Sequence, residues 1–142
     1  MTVYVDDMRA QFGRMVMCHM LADTDEELHA MAARIGVARR WWQSPEKTSG
    51  SHYDIALSKR ALAVAAGAVE ITMRQAGSMN IRRLRTGQLG DPATAVEWLR
   101  DAVALSRRSP MPVRCEICEW RGKRLTPRSA PCPACGSRVE FA

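Results

Sequence analysis

"MVMCHMLADTDEELHAMAARIG", Met15 to Gly36, decides the fold class. Met15 to Leu21 is apolar apart from His19, too short for an amphipathic helix, and reads as a largely buried strand. Thr24 and Glu27 then stand in capping-box spacing, with acids filling the first helical turn. Leu28, Met31, Ala32 and Ile35 recur on one helical face, and Gly36 supplies the stop. A buried strand that runs straight into an amphipathic helix is the unit of an α/β protein.

The pattern extends in both directions. "TVYV", ending at Asp6, is β-branched and aromatic and predicts a strand. "VARRWW" (37–42) predicts another strand, "SPEKTSGS" (44–51) a loop, and "IALSKRALAVAAG" (55–67) a second helix stopped by Gly67. "AVEIT" (68–72) predicts a fourth strand. Two further helices are expected near Met73 to Thr86 and Pro92 to Ser106, the last capped by Asp91 with Pro92 in its first position. Strands alternating with helices predict an α/β fold with a small, mostly parallel sheet flanked by helices. "RRSPMPVR" (107–114) is the expected boundary, because Pro110 and Pro112 push the residues before them to extended backbone. The expected domains are 1–108 and, on the two C-x-x-C pairs Cys115/Cys118 and Cys132/Cys135, a C-terminal zinc ribbon at 113–142.

In a parallel sheet, ligands sit at the carboxyl ends of the strands. On that rule Asp6 and Asp7, closing "VYVDD", His19 and Asp23 in "CHMLAD", and His52, Asp54 and Lys59 in "SHYDIALSKR" gather on one sheet edge as a candidate catalytic or ligand-binding pocket. Lys59, Arg60 or a metal is expected between the carboxylates, so that Asp6→Asn would relieve repulsion. Each residue also has a structural reading: Asp23 and Asp54 as helix caps, Asp6 and Asp7 as solvated strand ends, His19 as a core histidine, and His29 as an exposed helix residue. Cys18 is expected in the core, and one of Trp41 and Trp42 faces inward. No glycine-rich phosphate cradle and no G-x-S-x-G elbow is present, which leaves the reaction class open.

The tail carries the sharper motif. Cys115 and Cys118, then Cys132 and Cys135, form two C-x-x-C pairs separated by Glu119 to Pro131. Two such turns aim four thiolates at one point, the tetrahedral and coordinatively closed set of a structural zinc. So small a piece cannot bury a core of its own, and metal would supply the missing stability. Six basic side chains against three acidic ones in 113–142 suit docking to nucleic acid or to a host protein. Trp120 either packs over the metal or stacks on a partner.

The chain has 142 residues, 46% hydrophobic and 25% charged, with formal net charge +6. That is the balance of a globular protein with a modest bias toward polyanions. Its longest apolar run, Ala61 to Val69, is far too short to span a bilayer, and Asp6 and Asp7 stand where a signal peptide needs a basic start and an apolar core. A cytoplasmic, reduced setting with no membrane partner is expected.

The stretch from "VYVDD" through "CHMLADTDEELHAMAARIGV", "RWW", "HYD" and "SKRALAVAAGAVEI" resembles a family of unknown function found in tailed phages and bacteria, over roughly residues 2–72. The motif positions are Asp6, Asp7, His19, Asp23, Trp42, His52, Tyr53, Asp54 and Lys59. The resemblance implies a phage or prophage origin and supplies no mechanism. The expected function is a phage accessory factor with a polar pocket and a docking ribbon. The alternative is a metal-assisted enzyme acting on a phosphate-containing substrate.

Overall fold

The computed structural model describes residues 2–48, 50–108, 111–115, 118, 121–124, 134–135 and 139–141. In chain order the elements are β1 (Val3–Val5), β2 (Ala10–Phe12), β3 (Met15–Ala22), α1 (Asp25–Arg34), a short 3-10 turn (Arg39–Trp41), β4 (Trp42–Gln43), β5 (His52–Ala56), α2 (Leu57–Ala65), β6 (Val69–Glu70), α3 (Met73–Thr86), α4 (Pro92–Arg108), β7 (Met111–Cys115), β8 (Arg121–Arg124) and β9 (Val139–Phe141). The chain divides into two compact units, Met1–Leu99 and Arg100–Ala142.

The fold is α/β, but the front sheet is mixed and not mostly parallel. Its order is β4-β5-β3-β1-β6, with β2 also paired to β3. Only β1 and β6 run parallel among its pairs; β1–β3, β2–β3, β3–β5 and β4–β5 are antiparallel. The reason is connection length. A parallel crossover needs a dozen or more residues, usually with a helix, and the nine residues from Asp6 to Arg14 hold a short strand and a tight turn instead. Gly13, at φ 59°, opens the two-residue Gly13–Arg14 loop that reverses the chain into β3. The segment from His52 also departs from expectation: it forms β5 against β3, and α2 starts only at Leu57.

Side-chain alternation sorts the core into two layers. On one face Val5, Cys18, Met20, Ala22, Tyr53 and Ile55 pack with Leu28 and Ala32 of α1, its C-cap Ile35, and Ala63 of α2. On the other, Tyr4 and Leu21 pack with Ala76 and Met79 of α3, Leu89, and Ala95 of α4. The Thr24–Glu27 capping box forms as the spacing predicts, and a second box joins Thr72 to Gln75 at the start of α3. Asp91 caps α4 by accepting from the Ala93 amide at 2.8 Å.

In the tail unit β7 pairs antiparallel with both β8 and β9. The extended backbone around Pro112 is the central strand of this small sheet. Trp120 and Cys132 lie outside the described residues.

Candidate functional site

Antiparallel pairing changes which polar residues meet. The register sets Val5 opposite Met20, and the Asp6 amide donates to the His19 carbonyl at 3.1 Å. His19 in turn sits directly opposite Asp54. Asp6, His19 and Asp54 therefore form one row across three adjacent strands, with His52 two residues along β5. Directly opposite and alternate residues share a sheet face, so all four lie on the face that carries α3.

Three ligand atoms converge. Asp54 Oδ1 lies 3.7 Å from His19 Nε2 and 3.7 Å from His52 Nε2, and the three atoms all fall within 4.8 Å of one another. A separation of 3.7 Å is too long for a hydrogen bond, and Asp54 Oδ1 is buried without a hydrogen-bond partner. Ligands at about 2.0–2.1 Å from a tetrahedral ion stand about 3.4 Å apart, so the spacing fits a shared divalent cation.

The opposite polar atom of each ligand is already occupied. His19 Nδ1 bonds Asp6 Oδ2 at 2.7 Å. His52 Nδ1 donates to the Gly50 carbonyl at 2.7 Å. Asp54 Oδ2 accepts from Gln43 Nε2 at 2.5 Å. These outer partners fix both imidazoles with the Nδ1 side anchored, leaving two Nε2 atoms and one carboxylate oxygen facing each other. The His19 and His52 side chains are 30% and 11% exposed and that of Asp54 37%, so one side of the cluster opens to solvent. A donor set of two histidines and one carboxylate leaves coordination positions for water or substrate.

Asp6 is fully buried, and its Oδ1 accepts from the backbone amides of Met8 (3.2 Å) and His19 (2.9 Å). Burial pushes its carboxyl up, but the bonds from the His19 ring and amide and the His19 charge outweigh that and bring it below the ordinary value. The Asp6 bond raises the His19 imidazole above its ordinary value against the opposing effect of burial. A cation at Nε2 would displace a proton from His19.

The other expected pocket residues lie elsewhere. Asp7 Oδ1 accepts from the Met73 amide at 2.6 Å, a carboxylate at the N-terminus of α3. The Asp23 amide donates to the Thr2 carbonyl at 3.1 Å, at the far end of β1 from Asp6. Lys59 Nζ donates to the Ile35 carbonyl at 2.8 Å, a cation at the C-terminus of α1. Arg60 reaches the backbone oxygen of Asp6 and pairs with Glu70. No cation separates Asp6 from Asp54 among the described residues; the His19 ring does. Asp54 sits within a strand and is not a helix cap. His29 is half-buried, bonded to the Tyr53 hydroxyl at 2.9 Å and edge-on to Trp42. Cys18 is fully buried, and burial pushes its thiol up to about 11, the state of an inert core residue.

Gln43 and Gly50 were missed in the sequence, since neither belongs to a local motif. A Cβ at Gly50 would lie 2.7 Å from Asn80 Oδ1, so a side chain there would have to displace the Asn80 amide.

In the tail unit the Cys115, Cys118 and Cys135 sulfurs also lie within 4.8 Å of one another, with Cys115 and Cys135 at 3.5 Å. Thiolates about 2.3 Å from a tetrahedral ion stand about 3.8 Å apart. Three cysteines are thus near enough to bind a metal.

The class these features define is a mixed-sheet α/β domain with a histidine–carboxylate cluster on one face, followed by a cysteine-bearing β unit. The chain belongs to the family described as a protein of unknown function (DUF4031), whose profile matches residues 3–83. The matched segment holds Asp6, His19, Gln43, Gly50, His52 and Asp54. No curated protein and no solved structure matches the chain. Among the described residues no helix is long and apolar enough to cross a membrane.

Proposed function

We propose that the front unit is a metal-assisted enzyme acting on a phosphate-containing substrate, with one divalent ion held by His19, His52 and Asp54. The observation that carries the reading is the triple anchoring from behind, by Asp6, the Gly50 carbonyl and Gln43, of three converging ligand atoms, one of which, Asp54 Oδ1, is buried without a hydrogen-bond partner. Such an ion polarises a phosphoryl oxygen and makes bound water nucleophilic near neutral pH. The chain's own part is to hold the ligands. Asp6 keeps the His19 ring oriented and increases its basicity, and Gln43 turns Asp54 Oδ1 toward the ion. The net charge of +6 favours an anionic substrate.

The tail is read as a structural zinc ribbon in which Cys132 completes the set of Cys115, Cys118 and Cys135, docking the protein to nucleic acid or a host protein in a phage or prophage setting. The proximity of the three described sulfurs supports this reading.

Elemental analysis of protein purified without chelator tests both sites. Two ions per chain are expected, falling to one in His52→Ala and to one in Cys115→Ser. Hydrolysis of a generic phosphodiester should require the ion that His52→Ala removes. A single ion that His52→Ala leaves in place would overturn the front-unit reading.

A further inference from the structure

β1 and β2 both pair with β3 on the side away from β5, and β5 stops opposite Met17. Beyond Met17 the sheet is therefore only a two-stranded arm, closed by the Gly13–Arg14 turn and braced by Gln11 Nε2 donating to the Gly13 carbonyl at 2.8 Å. Phe12 pairs with Met15, and Met15, Met17 and His19 alternate on one face. The arm thus extends the face of the metal cluster and carries an aromatic ring on it. Phe12 is 67% and Met15 46% exposed, a large apolar exposure with no core function. Arg14, in the turn between Phe12 and Met15, is exposed, as is Arg9 just before β2, and no acidic residue occurs between Asp7 and Asp23.

We propose that this arm holds single-stranded nucleic acid, with a base stacked on Phe12 and a backbone phosphate taken by Arg14, so that the strand runs along the face toward His19, His52 and Asp54. An aromatic ring beside a cation, on an arm with no acidic residue of its own, matches a stacked base next to a phosphate. Distance separates an oligonucleotide from a mononucleotide. Met15 stands four residues from His19, about 13 Å along the strand. That corresponds to about four stacked nucleotides at about 3.4 Å each. One nucleotide cannot touch both places. The inference rests on the metal-centre reading for its substrate role, and the two fail separately.

The test is fluorescence anisotropy at low salt with labelled octathymidylate, competed by thymidine monophosphate, on the full chain. Wild type is expected to bind the octamer far more tightly than the monophosphate. Phe12→Ala should weaken octamer binding about tenfold, Phe12→Trp should retain it, and Arg14→Ala should flatten its salt dependence. Because the basic tail can bind the octamer in parallel, all variants and their reference protein are made in a background with Arg121, Lys123 and Arg124 changed to Ala. Metal content and melting temperature should not change in Phe12→Ala, because Phe12 contributes to neither. Equal octamer affinity in wild type and Phe12→Ala would overturn the proposal, as would an octamer bound no better than the monophosphate. Octamer binding lost in Phe12→Ala, in a protein with no ion at the front site, would sustain the arm and sink the enzyme reading.

Discussion

The two groups that can hold a metal differ in how the chain makes them. In the tail, Cys115 and Cys118 belong to one short segment, and local spacing alone brings their sulfurs together. In the front unit, His19 and His52 are separated by more than thirty residues of sequence, and they meet only because β3 and β5 pair antiparallel in one register. Slipping that pairing by one residue would send Asp54 to the opposite face. The chemistry differs in the same sense. The four thiolates proposed for the tail would leave an ion no free position, whereas two imidazoles and a carboxylate would leave it open to water and substrate. A local motif suits a staple; a site assembled from several strands suits chemistry, because its geometry is held by the whole sheet.

The largest effect expected to test this contrast is in the tail. Cys115→Ser should unfold the β7–β9 sheet, since structural zinc contributes about 10–16 kcal/mol in comparable peptides. Hydrogen exchange should show the tail strands losing protection while β1, β3 and β5 keep theirs. Loss of protection in the front strands as well would break the idea that the two sites are independent.

Next in size is Asp6→Asn. The carboxylate takes two backbone amides and the His19 ring, so the amide's added N–H donors face N–H donors. The change should lower metal affinity at the front site about 10–100-fold and destabilise the unit by about 1–3 kcal/mol. Thermal melts and metal titration measure the two separately. This reverses the sequence expectation that Asp6→Asn would relieve repulsion, because among the described residues the Asp6 carboxylate meets the His19 ring and two backbone amides rather than a second carboxylate. A more stable Asp6→Asn protein would restore that expectation.

The smallest effect sits on the face opposite the cluster. Burial first, and then the Arg39 charge, lower the His29 imidazole below its ordinary value, against the pull of Asp25 and Glu26, with the Tyr53 hydroxyl on Nδ1. A depressed folded value means that the unfolded chain binds the proton more readily. His29 therefore contributes stability above the ordinary histidine value, and that stability is lost as pH falls through the lower folded value. His29→Gln should melt with a shallower loss between neutral and mildly acidic pH than wild type. His19 shifts the opposite way, so the difference between the two proteins isolates His29. Identical slopes would show that burial of His29 has no energetic consequence.

Much of the fold was legible because it is written locally. The Thr24–Glu27 box, the Leu28–Met31–Ala32–Ile35 face and the Pro92 start each express physics within a few residues, and the corresponding elements formed. Core placement of Cys18 followed from strand alternation, whereas Trp42 turns inward although Arg39–Trp41 is a 3-10 turn and not part of the expected 37–42 strand. What local pattern could not supply was strand direction. The nine-residue link from β1 to β3 carried the signal, in a Gly-led turn and a length too short for a crossover, but the alternation of strands and helices masked it.

The candidate site shows the same division. Asp6, His19, His52 and Asp54 stood out by residue type, and so did Asp7, Asp23 and Lys59, which the structure assigns to helix ends and a strand end. Sequence determined which side chains were available and which segments were rigid enough to carry them. Only the tertiary structure decided which of them meet, because cross-strand neighbours depend on pairing direction and register, and these follow from burying both faces of the sheet at once rather than from any residue's own neighbours.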